Sequence, residues 1–92
     1  MKSPDIETAV RLYYEKTELT SSDIKALFDT KDTQTAKLKK QVKQRMAEKG
    51  VKSWLPKSVN TKVAFEVWGI EIEDFESRLK ALRRLKLNSE RT

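Results

Sequence analysis

The 92-residue sequence contains neither cysteine nor histidine. Without them the usual zinc sites cannot be assembled, there is no thiol nucleophile, and no imidazole can act as general acid or base. The expectation is a non-enzymatic protein with no metal, cofactor or small-molecule substrate. Glycine and proline occur twice each, and β-branched alternation is scarce, which predicts an all-α protein. No run of about 20 apolar residues is present, and the N-terminus lacks the apolar stretch of a secretory signal. A cytoplasmic protein without a membrane partner is expected. The length suits a single helical domain over residues 1–92 with one modest core.

What is present is positive charge, concentrated in one place. The chain carries 20 basic and 14 acidic residues, a net +6. Residues 31–57 hold nine basic and two acidic side chains, a net +7, whereas 1–30 hold four and six, and 58–92 hold seven and six. A local excess of this kind is the electrostatic footprint of phosphate binding; evenly spread charge would indicate only a hydrated surface.

Apolar spacing and capping residues predict four to five helices. The first has Ser3 as cap, Pro4 in the first helical position, and Ile6, Val10 and Tyr13 on one face, ending near Lys16. In "ELTSSDIKALFD", Thr20 with Asp23 reads as a capping box, and Leu19 with Ile24 as a hydrophobic staple. Ile24, Leu27 and Phe28 then face inward. A long helix from about Thr33 to Lys49, with Gly50 as its stop, follows the short "DTKD" connection, with Thr35, Leu38, Val42 and Met46 as its buried stripe. The segment "VKSWLPKSVN" reads as a loop whose Trp54 and Leu55 tuck against the core. "TKVAFEVW" is a short helix with Ser58 or Asn60 as cap and Gly69 as stop. The last helix begins near Glu73, with Phe75, Leu79 and Leu82 inward and Arg83, Arg84 and Lys86 in its final turn.

Of the aromatic residues, adjacent Tyr13 and Tyr14 read as one core and one surface residue, and Trp54 and Trp68 as core anchors. Glu71, Glu73, Asp74 and Glu76 read as charge at a helix N-terminus rather than a Mg²⁺ site. Leucines 79, 82, 85 and 87 admit either packing on the domain's own core or a short homodimer seam in the C-terminal helix.

Residues 20–49 place a short helix, a tight connection and a basic helix in the order that a helix-turn-helix requires. With the buried stripe inward, Gln34, Lys37, Gln41 and Gln44 project outward at about 100° per residue. Thr33, Gln34, Lys37 and Gln41 are the candidate readers of base edges in double-stranded DNA, because Gln pairs with adenine and Lys with guanine in the major groove. Lys31, Lys39, Lys40, Lys43 and Arg45 are the candidate phosphate contacts.

The stretch "LTSSDIKALFDTKDTQTAKLKKQV" resembles the helix-turn-helix of small DNA-binding proteins of bacterial phages and mobile elements, including repressor-like and excisionase-like ones. "VNTKVAFEVWGIEIEDF" is similar to a helical tail that follows the motif in such proteins, here within 58–87. The resemblance implies a transcriptional regulator or a recombination accessory factor. The sequence departs from the motif at Lys25, where a small residue is usual, at Asp29, where glycine is usual, and at Thr30 and Thr35, where apolar residues are usual. The rival reading is a phage structural or adaptor module whose basic helix meets an acidic protein surface.

Overall fold

The computed structural model describes residues 4–90, and the side chains of 4–87. Five helices are joined by short connections: α1 (Ile6–Glu15), α2 (Ser21–Phe28), α3 (Asp32–Lys49), α4 (Thr61–Trp68) and α5 (Ile72–Glu90). Two two-residue strands, β1 (Glu18–Leu19) and β2 (Val59–Asn60), pair antiparallel with Glu18 opposite Asn60 and Leu19 opposite Val59. The predicted all-α domain of four to five helices is observed, with five helices and, among the described residues, this small bridge in addition.

The helix boundaries follow local chemistry. Asp5, not Ser3, caps α1: its carboxylate accepts from the Thr8 amide at 2.9 Å and the Thr8 hydroxyl at 2.6 Å. Asp5 is extended and its own N–H donates to the Leu27 carbonyl at 2.9 Å, so the chain is still tied to the end of α2 where Pro4 would have begun the helix. Ser3 lies outside the described residues. Thr20 and Asp23 form the predicted capping box on α2, the amide of each residue meeting the side chain of the other. Asn60 caps α4 through the Val63 amide at 3.0 Å. Gly50 and Gly69 close α3 and α4 in the left-handed conformation, with φ of 72° and 71°, where an L side chain meets its own carbonyl.

The core forms where the apolar faces of these helices meet. Thr35, Leu38, Val42 and Met46 are the buried residues of α3, as the spacing predicts. They join Ile24, Leu27 and Phe28 of α2, Ala9 and Leu12 of α1, and Val63, Ala64 and Phe65 of α4. Leu19 and Val59, partners across the strand bridge, are completely enclosed. Tyr13 lies against the core at 5.4 Å from the Phe65 ring, while Tyr14 is exposed and its hydroxyl donates to Glu76 of α5. Trp68 anchors the core with its ring edge-on to Phe28 at 5.0 Å.

Further expectations are overturned. α1 buries Ala9 and Leu12, whereas Ile6, Val10 and Tyr13, the face the spacing selects, are half-buried. Trp54 is 91% exposed and Leu55 57% exposed, so the loop does not tuck them against the core. The reason is that the loop backbone is held from below by a carboxylate: Glu18 accepts from the amides of Trp54 at 2.7 Å and Leu55 at 3.4 Å and from the Ser58 hydroxyl at 3.2 Å. Those amides face inward, and the side chains between them are turned out. In α5, Leu79 is buried but Leu82 is 48% exposed, because α5 continues to Glu90 and its second half runs past the body it packs on. Arg83, Arg84 and Lys86 therefore precede the final turn. The molecule is accordingly long, 51 Å against 25 and 19 Å.

Candidate nucleic-acid interface

α3 is set on the core by α2, and the connection between them is three residues long. Asp29 takes the left-handed conformation there, φ 51° and ψ 53°, so an Asp occupies the place where glycine is usual. Lys25 of α2 forms an ion pair with Asp32 at the start of α3. The two unexpected polar residues satisfy each other: the Thr30 and Thr35 hydroxyls are 3.0 Å apart, and Thr35 Oγ1 donates to the Lys31 carbonyl at 2.9 Å. Thr35 is thereby buried at 3% exposure without an orphaned hydroxyl.

With Thr35, Leu38, Val42 and Met46 directed into the core, the opposite face of α3 is open. Thr33, Lys37 and Gln41 are exposed, and Gln34 is half-covered and engaged in an interaction of its own. Lys31, Lys40 and Lys43 are exposed as well. In the leading turns of α3, Thr33 and Lys37 are therefore uncovered, whereas Gln34 is half-covered and Asp32 is paired with Lys25. Thr33, Lys37, Lys40 and Gln44 lie within about 60° of one another around the helix, at the pole opposite the core.

The remaining candidate residues occupy the two flanks of α3 and differ in what already holds them. On one flank, Arg45 donates to Glu48 at 3.1 Å and to Glu66 of α4 at 3.3 Å, and Lys49 reaches Glu66 at 2.7 Å. The hydrogen bonds that Arg45 donates to Glu48 and Glu66 raise the guanidinium pKa above its ordinary value. Arg45 is thus engaged in tying α3 to α4, which leaves it less available to a phosphate than its neighbours.

On the other flank, Lys39 is half-buried and donates to the Ser21 hydroxyl at 3.2 Å. Burial, together with Lys43 and Lys57, holds its ammonium pKa below the ordinary lysine value. A groove of about 460 Å³ opens here between Thr20, Ser21 and Ser22 at the start of α2 and the turn Leu55–Ser58, with Lys39 on its wall. Among the described residues Lys39, Lys43 and Lys57 take part in no ion pair, and like charges gathered in this way favour an external anion. Lys57 was not singled out in the sequence because it lies in a loop 18 positions from Lys39 in the chain. Its only signal was membership of the basic segment 31–57.

Two of the four acidic residues near the start of α5 are engaged individually. Glu76 accepts from Tyr14, and Asp74 pairs with Arg78 at 3.0 Å. No helix among the described residues is long and apolar enough to cross a membrane. No family model, curated protein or solved structure matches the chain.

Proposed function

We propose that this protein binds double-stranded DNA with sequence preference through a helix-turn-helix formed by α2 and α3, as a transcriptional regulator or recombination accessory factor without catalytic activity. The observation that carries the reading is the open leading face of α3, where Thr33, Lys37 and Lys40 stand clear of the fold on a helix fixed from behind by four buried residues. A rigid helix that presents its first turns bare can enter a major groove about 12 Å wide and bring amide and ammonium groups to base edges. In this reading Thr33, Gln34, Lys37 and Gln41 read bases, and Lys31, Lys39, Lys40 and Lys43 hold phosphates. Lys57 joins the second set, since it shares the flank of Lys39, and Arg45 contributes less than its position on α3 alone suggests. The likeness of residues 19–75 to proteins of phages and mobile elements supports the same reading, with a second copy of the chain, met through the C-terminal helix, as a further partner.

The test is fluorescence anisotropy with random and selected duplexes over a salt series. About five phosphate contacts give a slope of log K against log salt near −5, together with a preferred site. Weak binding that is indifferent to sequence, with a shallow slope, would sink the reading.

One observation favours the rival, an adaptor that meets an acidic protein. Trp54 and Leu55 stand exposed on a turn held by Glu18, beside Lys52 and Lys57. An aromatic anchor ringed by cations suits a protein surface carrying carboxylates. Failure of every duplex to bind, with retention of wild-type chain on an acidic partner and loss of retention in Trp54→Ala, would favour that alternative.

A further inference from the structure

The second half of α5 leaves an amphipathic surface uncovered. Three of the six large apolar side chains that stand exposed among the described residues, Leu82, Leu85 and Leu87, fall within six consecutive positions, at 48%, 63% and 58% exposure. α1 and α5 run antiparallel, so that Tyr14 meets Glu76 at one end and the start of α1 faces the second half of α5 at the other. Between them lies an open groove of about 690 Å³ with Ile6, Leu79, Leu82 and Leu85 as its apolar surface. Asp5 and Glu7 line the α1 side, and Arg83 and Lys86 the α5 side. Among the described residues Glu7, Arg83 and Lys86 take part in no ion pair.

We propose that this groove is the seat of a second copy of the chain, the α5 half of each protomer lying in the α1–α5 groove of the other about a two-fold axis. The charge pattern selects this occupant. In a chain of net +6, most of the surface repels its own copy, but this groove is balanced, with two carboxylates facing two cations. A nucleic acid or an acidic protein would gain nothing from Asp5 and Glu7, and a basic partner nothing from Arg83 and Lys86. An isologous partner satisfies both walls at once: Arg83 and Lys86 of each copy meet Glu7 of the other, while Leu82 and Leu85 of both copies cover one another. Because only α1 and α5 line the groove, self-association uses none of the residues proposed to touch DNA. The pairing stands independently of the DNA reading. Only its consequence, two α3 helices addressing a palindromic site, rests on that reading.

The experiment is sedimentation equilibrium of the full chain without DNA. Wild type should approach twice the 10.7 kDa chain mass as concentration rises. Leu85→Lys, at an exposed position, should weaken association about tenfold or more with helicity unchanged by circular dichroism. Two charge variants supply the decisive arm. A chain with Glu7→Lys and a chain with Arg83→Glu and Lys86→Glu should each associate more weakly than wild type, because like charges then meet. Mixed, they should form a heterodimer, because both contacts become attractive. A wild-type chain that stays monomeric at roughly millimolar concentration, where even weak dimers form, would overturn the proposal. So would a dimer indifferent to Leu85→Lys, or charge variants that do not associate on mixing. Since no arm contains DNA, failure here is distinct from failure of the DNA titration.

Discussion

The hydroxyls of Thr30 and Thr35 lie 3.0 Å apart across the entry to α3, each standing where an apolar residue would be usual in a helix-turn-helix. The pair turns two misplaced polar groups into one satisfied contact, and it fixes the first turn of the helix proposed to read DNA. Its energetics are testable because each hydroxyl depends on the other. Thr35→Val removes two bonds, to the Thr30 hydroxyl and to the Lys31 carbonyl, and leaves the half-buried Thr30 hydroxyl short of a partner, at a cost of about 1–2 kcal/mol. Adding Thr30→Val should cost little more, or restore part of the loss. Urea denaturation of both singles and the double gives the coupling, and additive losses would show that the two groups act independently.

Arg45 and Lys40 are both exposed on α3, but Arg45 is paired with Glu48 and Glu66 whereas Lys40 takes part in no ion pair among the described residues. Lys40→Ala should weaken binding to all duplexes alike and lower the salt slope by about one. Arg45→Ala should change the slope by less than half as much. Equal effects would mean that Arg45 leaves its carboxylates for phosphate when DNA binds.

Asp23 makes stability depend on pH. Burial pushes its carboxyl pKa up, but bonds from Lys16 at 2.8 Å and from the amide and hydroxyl of Thr20 outweigh burial and hold it below the ordinary value of 3.8. A carboxyl lowered in the folded state contributes stability that is full above its unfolded pKa and disappears as pH falls through the folded one. Asp5, lowered by its bonds from the Thr8 side chain and amide, acts in the same direction. Urea midpoints should therefore be steady near neutrality and fall below about pH 4. Asp23→Asn should lose about 1–2 kcal/mol at neutral pH, and its acid dependence should be shallower than that of wild type.

Glu18 holds the turn that displays Trp54. Glu18→Ala removes the acceptor for two loop amides and should destabilise the protein by about 1–2 kcal/mol. With Trp54 largely exposed and Trp68 packed in the core, the variant should also show increased segmental motion at Trp54. Time-resolved fluorescence anisotropy in a Trp68→Phe background reads that residue alone. An unchanged decay would show that the turn keeps its shape without the carboxylate.

Gly69 ends α4 at φ 71° with open space around its Cα, so an added methyl group would meet no neighbour. Gly69→Ala should nonetheless cost about 1 kcal/mol, all of it from the left-handed backbone. A thermal midpoint equal to that of wild type would indicate that the chain can end the helix in another conformation.

The buried stripe of α3, the Thr20 capping box and the glycine stops were legible because each is governed by residues within one or two turns. Spacing of about 3.6 residues selects Thr35, Leu38, Val42 and Met46, and no distant contact reverses that choice. The strand bridge was not legible. Its two residues on each side leave no period, and Leu19 meets Val59 from 40 positions away. The exposure of Trp54 was misread for a similar reason, since hydrophobicity argues for burial and only the distant carboxylate of Glu18 turns the backbone the other way. The start of α1 shifted from Pro4 to Ile6 because Asp5 is bound to Leu27, again across the fold.

By itself the sequence determined the helical class, the place where positive charge collects, and which faces of α2 and α3 are buried, since these follow from composition and from the geometry of one helical turn. Tertiary structure alone decided which cations remain available. Lys40 and Arg45 are equivalent in a list of basic residues, and both are exposed, yet α4 brings Glu66 to Arg45 while Lys40 meets no carboxylate among the described residues. The same holds for the leucines of α5: their spacing is regular, but packing buries Leu79 and leaves Leu82 and Leu85 exposed along an open groove beside the start of α1. Partner choice depends on what other elements cover, and coverage is a property of the packed chain that no local pattern encodes.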